Sequence, residues 1–216
     1  MRTKFIYLPI GILMLIGVIL GIYFLKNTTY QKKATVLPDQ TVPTKLAPEI
    51  QTILQRKMLL ITSLLKNPAI IEEVRKANEA HAHLTQEQIH QIDTSWINSP
   101  EGDAFFQPFL TNNAAKKLIE FQELNLGFSE IFITDARGLN VAVTNKTSDY
   151  YQADEDWWTK TYNKGDGIAW HGDIEFDQSA QTEGISLYVP IKDPNNGATI
   201  GIAKSILTLT AIKFEL

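Results

Sequence analysis

The sequence predicts an α+β domain, a helical first half followed by a five-stranded antiparallel sheet, behind one transmembrane helix. Three observations predict it. A 21-residue run without charge lies near the amino terminus. Hydrophobic residues then recur at helical spacing as far as about residue 124. From residue 128 the hydrophobic period changes from 3.6 to 2.

The uncharged run, Phe5 to Leu25 (FIYLPIGILMLIGVILGIYFL), is long enough to cross the hydrocarbon of a bilayer, about 30 Å at 1.5 Å per residue. Tyr7 and Tyr23 stand near its ends, where amphipathic rings favour the interface. The competing reading is a cleavable signal peptide, with a shorter apolar region and a small-x-small site after it. KNTTYQKK follows instead, which favours an uncleaved anchor. Arg2 and Lys4 precede the span while Lys26, Lys32 and Lys33 follow it, so charge bias alone does not orient it. Residues 1–4 then read as a short cytoplasmic end, 5–25 as the anchor and 26–45 as a polar linker with Pro38 and Pro43. The domain is expected at 46–209, its helical part at 46–127 and its sheet part at 128–209, with a tail at 210–216.

Composition narrows the function classes. Hydrophobic content of 44% and charged content of 20% fit a folded chain. A net charge of −4 argues against nucleic acid as a partner, since phosphate binding needs a concentrated basic face. The absence of cysteine excludes disulfides, thiolate metal sites and cysteine nucleophiles.

Within the domain, apolar residues at 50, 53, 54, 58, 61, 64 and 65 fall on one face of a first helix. KNP at 66–68 ends it, because the residue before proline is pushed out of the α region. A second helix starts near Pro68 and runs through AIIEEVRKANEA. A third lies in LTQEQIHQIDTSWI, where Thr85 caps and Gln88 completes a capping box. A fourth covers Asn112 to Leu124. FSEIFITD and LNVAVTN then make a hairpin with Gly138 at its turn. TSDYYQADEDWW leads into a short helix. GIAWHGDIEF, GISLYVPIKD and ATIGIAKSIL supply three more strands, the last two joined by the DPNNG turn at 193–197. Short connections between consecutive strands imply antiparallel pairing.

The order of these elements, together with NPAIIEEVRKANEA, IDTSWI and EIFITDARGLNVAVTNKTSDYYQADEDWW, resembles the single Cache (PDC, PAS-like) sensor domains of bacterial transmembrane receptors. The resemblance covers roughly residues 50–207 and is most specific at 128–158. It implies a PAS-like fold, an extracytoplasmic or periplasmic domain held by a single pass through the inner (cytoplasmic) membrane, and a small-molecule ligand whose occupancy is reported across that membrane. It also implies that the long amino-terminal helix continues from the anchor. Two departures stand out. Family receptors carry a second transmembrane helix and an output domain after the last strand. Here LTLTAIKFEL leads to the expectation of a module without its own output, acting through a partner signalling protein, as a homodimer or as a binding protein. The amino-acid-binding branch places an arginine just before its pocket tryptophan, whereas Glu155 and Asp156 precede Trp157 and Trp158 here. Recognition of a carboxylate at that position therefore does not carry over.

The segment 147–177 holds eight carboxylates, Asp149, Asp154, Glu155, Asp156, Asp166, Asp173, Glu175 and Asp177, against Lys160 and Lys164. Tyr150, Tyr151, Trp157, Trp158, Tyr162, Trp170 and Phe176 are interleaved with them. Aromatic faces beside carboxylates suit a cationic or amine-bearing ligand, and a cleft with a few placed polar groups is the usual form of a small-molecule site. The candidate ligand contacts are Tyr150, Tyr151, Asp154, Trp157, Trp158, Trp170, Asp177 in a loop-like stretch, and Tyr188 in mid-strand. Structural roles compete with each. Asp154 and Glu155 fit a helix start, and Trp158 shares a helix face with Tyr162, most simply against the sheet.

No catalytic residue is expected, since G-x-S-x-G, P-loop and H-E-x-x-H patterns are absent. No metal or other cofactor is expected either. His83, Glu87 and His90 read as one helix face with His81 nearby, but they match no zinc motif, and the acidic cluster has no calcium-loop spacing. The alternative to a sensor is a structural or interaction module of the cell envelope that uses a PAS-like fold to dimerise or dock a partner.

Overall fold

The computed structural model describes residues 46–100 and 102–216. The expected cytoplasmic end, anchor and linker lie outside the described residues. Among the described residues no helix is long and apolar enough to cross a membrane.

Helix α1 runs Pro48–Leu64 and buries Ile53, Leu54 and Ile61, the face marked by the apolar spacing. Helix α2, Pro68–His81, starts as expected at Pro68. The Asn67 side chain caps it by accepting the Ala69 N–H at 3.0 Å. Helix α3, Gln86–Asn98, opens with the full capping box of Thr85 and Gln88, and buries Ile89 and Trp96. A 3-10 turn at Ala104–Phe106 and helix α4, Gln107–Thr111, follow. Helix α5, Asn113–Leu124, is capped by Asn112, which also donates to the Val141 carbonyl and so joins helix to sheet.

The strands are β1 Phe128–Asp135, β2 Asn140–Val143, β3 Trp170–Asp177, β4 Thr182–Lys192 and β5 Thr199–Thr208. Between β2 and β3 lies helix α6, Asp156–Tyr162. Every pairing is antiparallel, in the order β2-β1-β5-β4-β3. This is the α+β plan expected, a five-stranded antiparallel sheet preceded by a helical segment. Gly138 turns the first hairpin at φ 79°, and a Cβ there would meet Ala153 at 2.5 Å, so both the backbone and the packing require glycine.

Alternation sorts the strands into two faces. Ile131, Ile133, Ala203, Leu207, Ile185, Leu187 and Val189 look toward one core with α1, α2 and α5. The opposite face carries a second cluster of Phe132, Val143, Tyr150, Trp96, Phe106 and Ile89. Residues 209–214, expected to fall within or beside a tail, form helix α7 (Leu209–Phe214) with Ile212 buried in the first core. Glu215 bonds Arg56 and lies 2.5 Å from the Lys57 ammonium, tying the carboxyl end to α1.

An acidic and aromatic cavity as candidate ligand site

Three strands bring their second-face residues into register. Tyr188 on β4 stands opposite Lys204 on β5, Ser186 opposite Ile206, and Gly184 opposite Thr208. On the other side of β5, Phe132 of β1 pairs with Lys204 and Glu130 with Ile206. Over this stripe α6 lays Trp157. Its ring stacks on Tyr188 at 5.1 Å between centroids and 15° between planes, and meets Phe132 edge to face at 6.1 Å. The loop 148–155 and the end of β3 close the remaining sides. The result is a cavity of about 180 Å³ lined by Ser148, Asp149, Gln152, Glu155, Trp157, Glu175, Phe176, Asp177, Gly184, Ser186, Tyr188, Lys204 and Ile206.

The loop is held from the helical half. Asp93 on α3 accepts the backbone N–H groups of Tyr150 and Tyr151 at 2.7 and 3.0 Å. The Trp96 indole donates to the Thr147 carbonyl at 2.9 Å. Asn140 on β2 donates to Thr147 Oγ1 and to the Asp149 carbonyl. These bonds present Asp149, Gln152 and Glu155 to the cavity.

The structure brings Trp157, Asp177 and Tyr188 together on the cavity and places the other five candidates elsewhere. Tyr150 is buried among Trp96 and Phe109, its hydroxyl 3.4 Å from His81 Nε2, and burial with the nearby Asp135 charge raises its pKa. Tyr151 packs edge to face on His90 and bridges Leu139. Asp154 is exposed to solvent. Trp158 faces the sheet, donating to Thr134 Oγ1 at 2.9 Å and stacking on Tyr162 at 4.8 Å. Trp170 stands behind Tyr188, 4.5 Å between centroids, and donates to Thr161 Oγ1. Asp177 closes β3 instead of lying in a loop. His83 sits in the turn between α2 and α3, so it shares no helix face with Glu87 and His90. His81 Nδ1 is instead 2.7 Å from Asp135, linking α2 to β1.

Two charged residues of this region went unread in the sequence, Glu130 and Lys204. Each is a lone charge inside an otherwise apolar stretch of a strand that is covered on both faces, and that is the signal available. The two carboxylates near Lys204 differ sharply. Asp177 accepts the Ser179 N–H, the Ser179 hydroxyl and the Ala180 N–H, and lies 3.4 Å from the Lys204 ammonium. Burial would raise its pKa, but those donors outweigh it and hold the group below the ordinary carboxylate value. Glu130 is 1% exposed, and among the described residues neither carboxylate oxygen has a hydrogen-bond partner. Burial, reinforced by the Asp177 charge and only partly offset by Lys204 and by the nearby Ser179 hydroxyl, whose hydrogen bond goes to Asp177, pushes it up to about 7. Asp149 is pushed up to about 6, by burial and by the charge of Asp93, against the donation from Gln152.

No protein-family model matches the chain. No curated protein matches it. Among solved structures it is similar to the Escherichia coli DcuS sensor domain, at 15% identity and a TM-score of 0.44, covering 77% of this chain and 96% of that one. It is also similar to the ligand-binding domain of the Pseudomonas fluorescens chemoreceptor CtaA in complex with L-valine, at 16% identity and a TM-score of 0.45, covering 78% of this chain and 58% of that one. A third is the ligand-binding domain of the Campylobacter jejuni chemoreceptor Tlp3 in complex with L-valine, at 15% identity and a TM-score of 0.39, covering 79% and 67%.

Proposed function

We propose that this chain is a membrane-anchored, extracytoplasmic sensing module of Cache type that binds a small amine-bearing or cationic molecule in the cavity between β4, β5 and α6, and passes its occupancy to a partner signalling protein or a second copy. The observation that carries the ligand class is the imbalance of charge beside aromatic rings. Among the described residues, Asp149, Glu155, Glu175 and Asp177 line the cavity with Lys204 as its one basic residue, and Trp157 and Tyr188 form a stacked pair within it. A volume of about 180 Å³ is small beside the roughly 300–1,000 Å³ of drug-sized sites, so the ligand is compact.

The test is a thermal-shift screen of the full chain in detergent micelles against amines, amino acids, carboxylates and purines. A ligand at one hundred times its Kd stabilises by about 2.7 kcal/mol, so amines should raise Tm clearly above the other classes. A broad panel in which no class raises Tm would sink the sensing reading, and stabilisation by carboxylates alone would sink the cationic preference.

A second reading has its own observation. Leu124, Leu126 and Phe214 are 79%, 89% and 91% exposed and line one groove near the carboxyl end. Such a patch suits a structural or interaction module that dimerises or docks an envelope partner. Crosslinking in membranes followed by pull-down separates the two, because a stoichiometric partner retained without any ligand favours docking.

A further inference from the structure

We propose that Lys204 is a built-in stand-in for the ligand's cation, and that an ammonium ligand works by taking its place at Asp177 and sending the lysine across to Glu130. The inference rests on the reading of the cavity as an amine site and says how that site registers occupancy.

Three observations carry it. The Lys204 ammonium stands between the acid and the rings of the cavity. It lies 3.4 Å from Asp177 Oδ2 and 5.7 and 5.8 Å from the ring centroids of Trp157 and Phe132, an aromatic and acidic setting that attracts any cation. Glu130, nine-tenths buried and more, has two carboxylate oxygens and, among the described residues, no hydrogen-bond partner for either, an arrangement that costs far more than a satisfied one. The sheet register puts the two within reach. Lys204 pairs with Phe132 and Ile206 with Glu130, so Lys204 and Glu130 are diagonal neighbours on one face of adjacent strands. Diagonal neighbours of this kind are about 7–8 Å apart at the backbone, a gap that a lysine side chain spans.

Two carboxylates therefore face one ammonium, which pairs with Asp177 alone, and the second cation has to come from outside. When it arrives at Asp177, Lys204 moves to Glu130 and both pairs are satisfied. The ligand never touches Glu130, which explains a buried carboxylate that is closed to solvent yet unpaired. Charge balance adds a proton. Glu130 faces Asp177 from β3, Lys204 from β5 and the Ser179 hydroxyl from the turn after β3, and it holds a proton over part of the neutral range. Pairing with Lys204 expels that proton. Below pH 7 the affinity for an ammonium ligand then rises about tenfold per pH unit, and levels off above it.

The probe is n-butylammonium, with n-butanol as the uncharged control, added to the full chain in detergent and followed by calorimetry and tryptophan fluorescence. The wild type should bind butylammonium and not butanol. It should release close to one proton per ligand at pH 6, read from the dependence of the heat on the buffer's ionisation enthalpy. Glu130→Gln should bind at least tenfold more weakly at pH 8, although the substituted side chain would touch no ligand, and Lys204→Met should bind at least tenfold more tightly. If Lys204→Met does not fold, the wild-type proton count decides by itself. Equal affinities in all three proteins, or no proton release at pH 6, overturn the exchange. Failure of butylammonium to bind the wild type overturns it as well, while a hit of another class in the wider screen would leave the sensing reading standing.

Discussion

The second face of the sheet ends in two different ways. At one end Trp96 meets Phe106, Phe109 and Tyr150 at 4.7, 5.1 and 5.5 Å, and the gap between sheet and helices is filled. At the other end α6 stands over β4 and β5 and leaves a cavity of about 180 Å³. Among the described residues each end keeps a buried oxygen without a partner, Asn140 Oδ1 beside Thr147 and the Glu130 carboxylate, but only the second belongs to a group that can ionise. In the filled end the Trp96 indole reaches the Thr147 carbonyl and the Tyr150 hydroxyl reaches His81. In the open end Glu130 has no hydrogen-bond partner among the described residues. Both ends hang on β1, where Phe132 packs into the filled cluster and Glu130, two residues away, lies beneath the cavity. The filled end works as a foundation for the open one, because the α3 residues that pack there, Asp93 and Trp96, also anchor the loop that forms the cavity's wall.

The largest expected effect comes from breaking the foundation. Trp96→Ala removes a fully buried ring with four aromatic neighbours and a satisfied N–H. Its cost should fall at about 3–5 kcal/mol by denaturant unfolding. Because Trp96 also holds the Thr147 carbonyl, the cavity's own tryptophan signal should broaden or shift as well. A loss below about 1 kcal/mol would mean that the two ends do not share this support.

Next in size is the titration of the open end. Glu130 stands at about 7 in the folded chain against an ordinary 4.5. The folded state therefore holds a proton that the unfolded state has lost between those values. That contribution is complete below about pH 4.5 and fades as pH rises through 7, so by pH 8 the wild type has given up as much as about 3 kcal/mol. Glu130→Gln cannot ionise and keeps its stability over the same window. The difference between the two denaturation curves isolates this group, since Asp149 is present in both. Parallel pH profiles for the two proteins would show that Glu130 is paired or hydrated in solution.

Local elements were more legible in the sequence than either end of the sheet's second face. Helix boundaries at Pro68, Thr85 and Asn112 rest on local chemistry, a proline ring or a side-chain cap, and local chemistry is visible in one dimension. The strands were legible because alternation is local too. The turn and short helix at 104–111 were not, because their aromatic residues take shape only against Trp96 and Tyr150. The candidate site divides along the same line. Trp157 and Tyr188 were readable as an aromatic on a helix and another in mid-strand, but whether a ring faces core or cavity is a matter of register. Tyr150 and Trp157, seven residues apart in one acidic stretch, end up on opposite sides of that division. Glu130 and Lys204 lie 74 positions apart and come together only through the pairing of β1 with β5. Their charges were in plain view, but their adjacency was not.

The smallest effect sharpens the comparison most. Thr85 caps α3 by accepting the Gln88 N–H at 3.2 Å, and Gln88 returns the bond to the Thr85 N–H at 2.8 Å. Both residues are exposed and neither lines the cavity. Thr85→Ala should cost about 1 kcal/mol, the usual value of such a cap. Fraying of α3 would loosen its first turn, two turns away from the Asp93 carboxylate that holds the Tyr150 and Tyr151 backbone. If α3 is a rigid foundation, the global stability falls by that amount while the Glu130 titration, followed by carboxyl NMR, stays at about 7. If α3 transmits its fraying to the loop, water enters beside Glu130 and its titration drops toward 4.5 together with Tm. The first result separates the two ends energetically. The second would make the cap residue a remote control on the cavity, and the filled end would count as part of the sensing device.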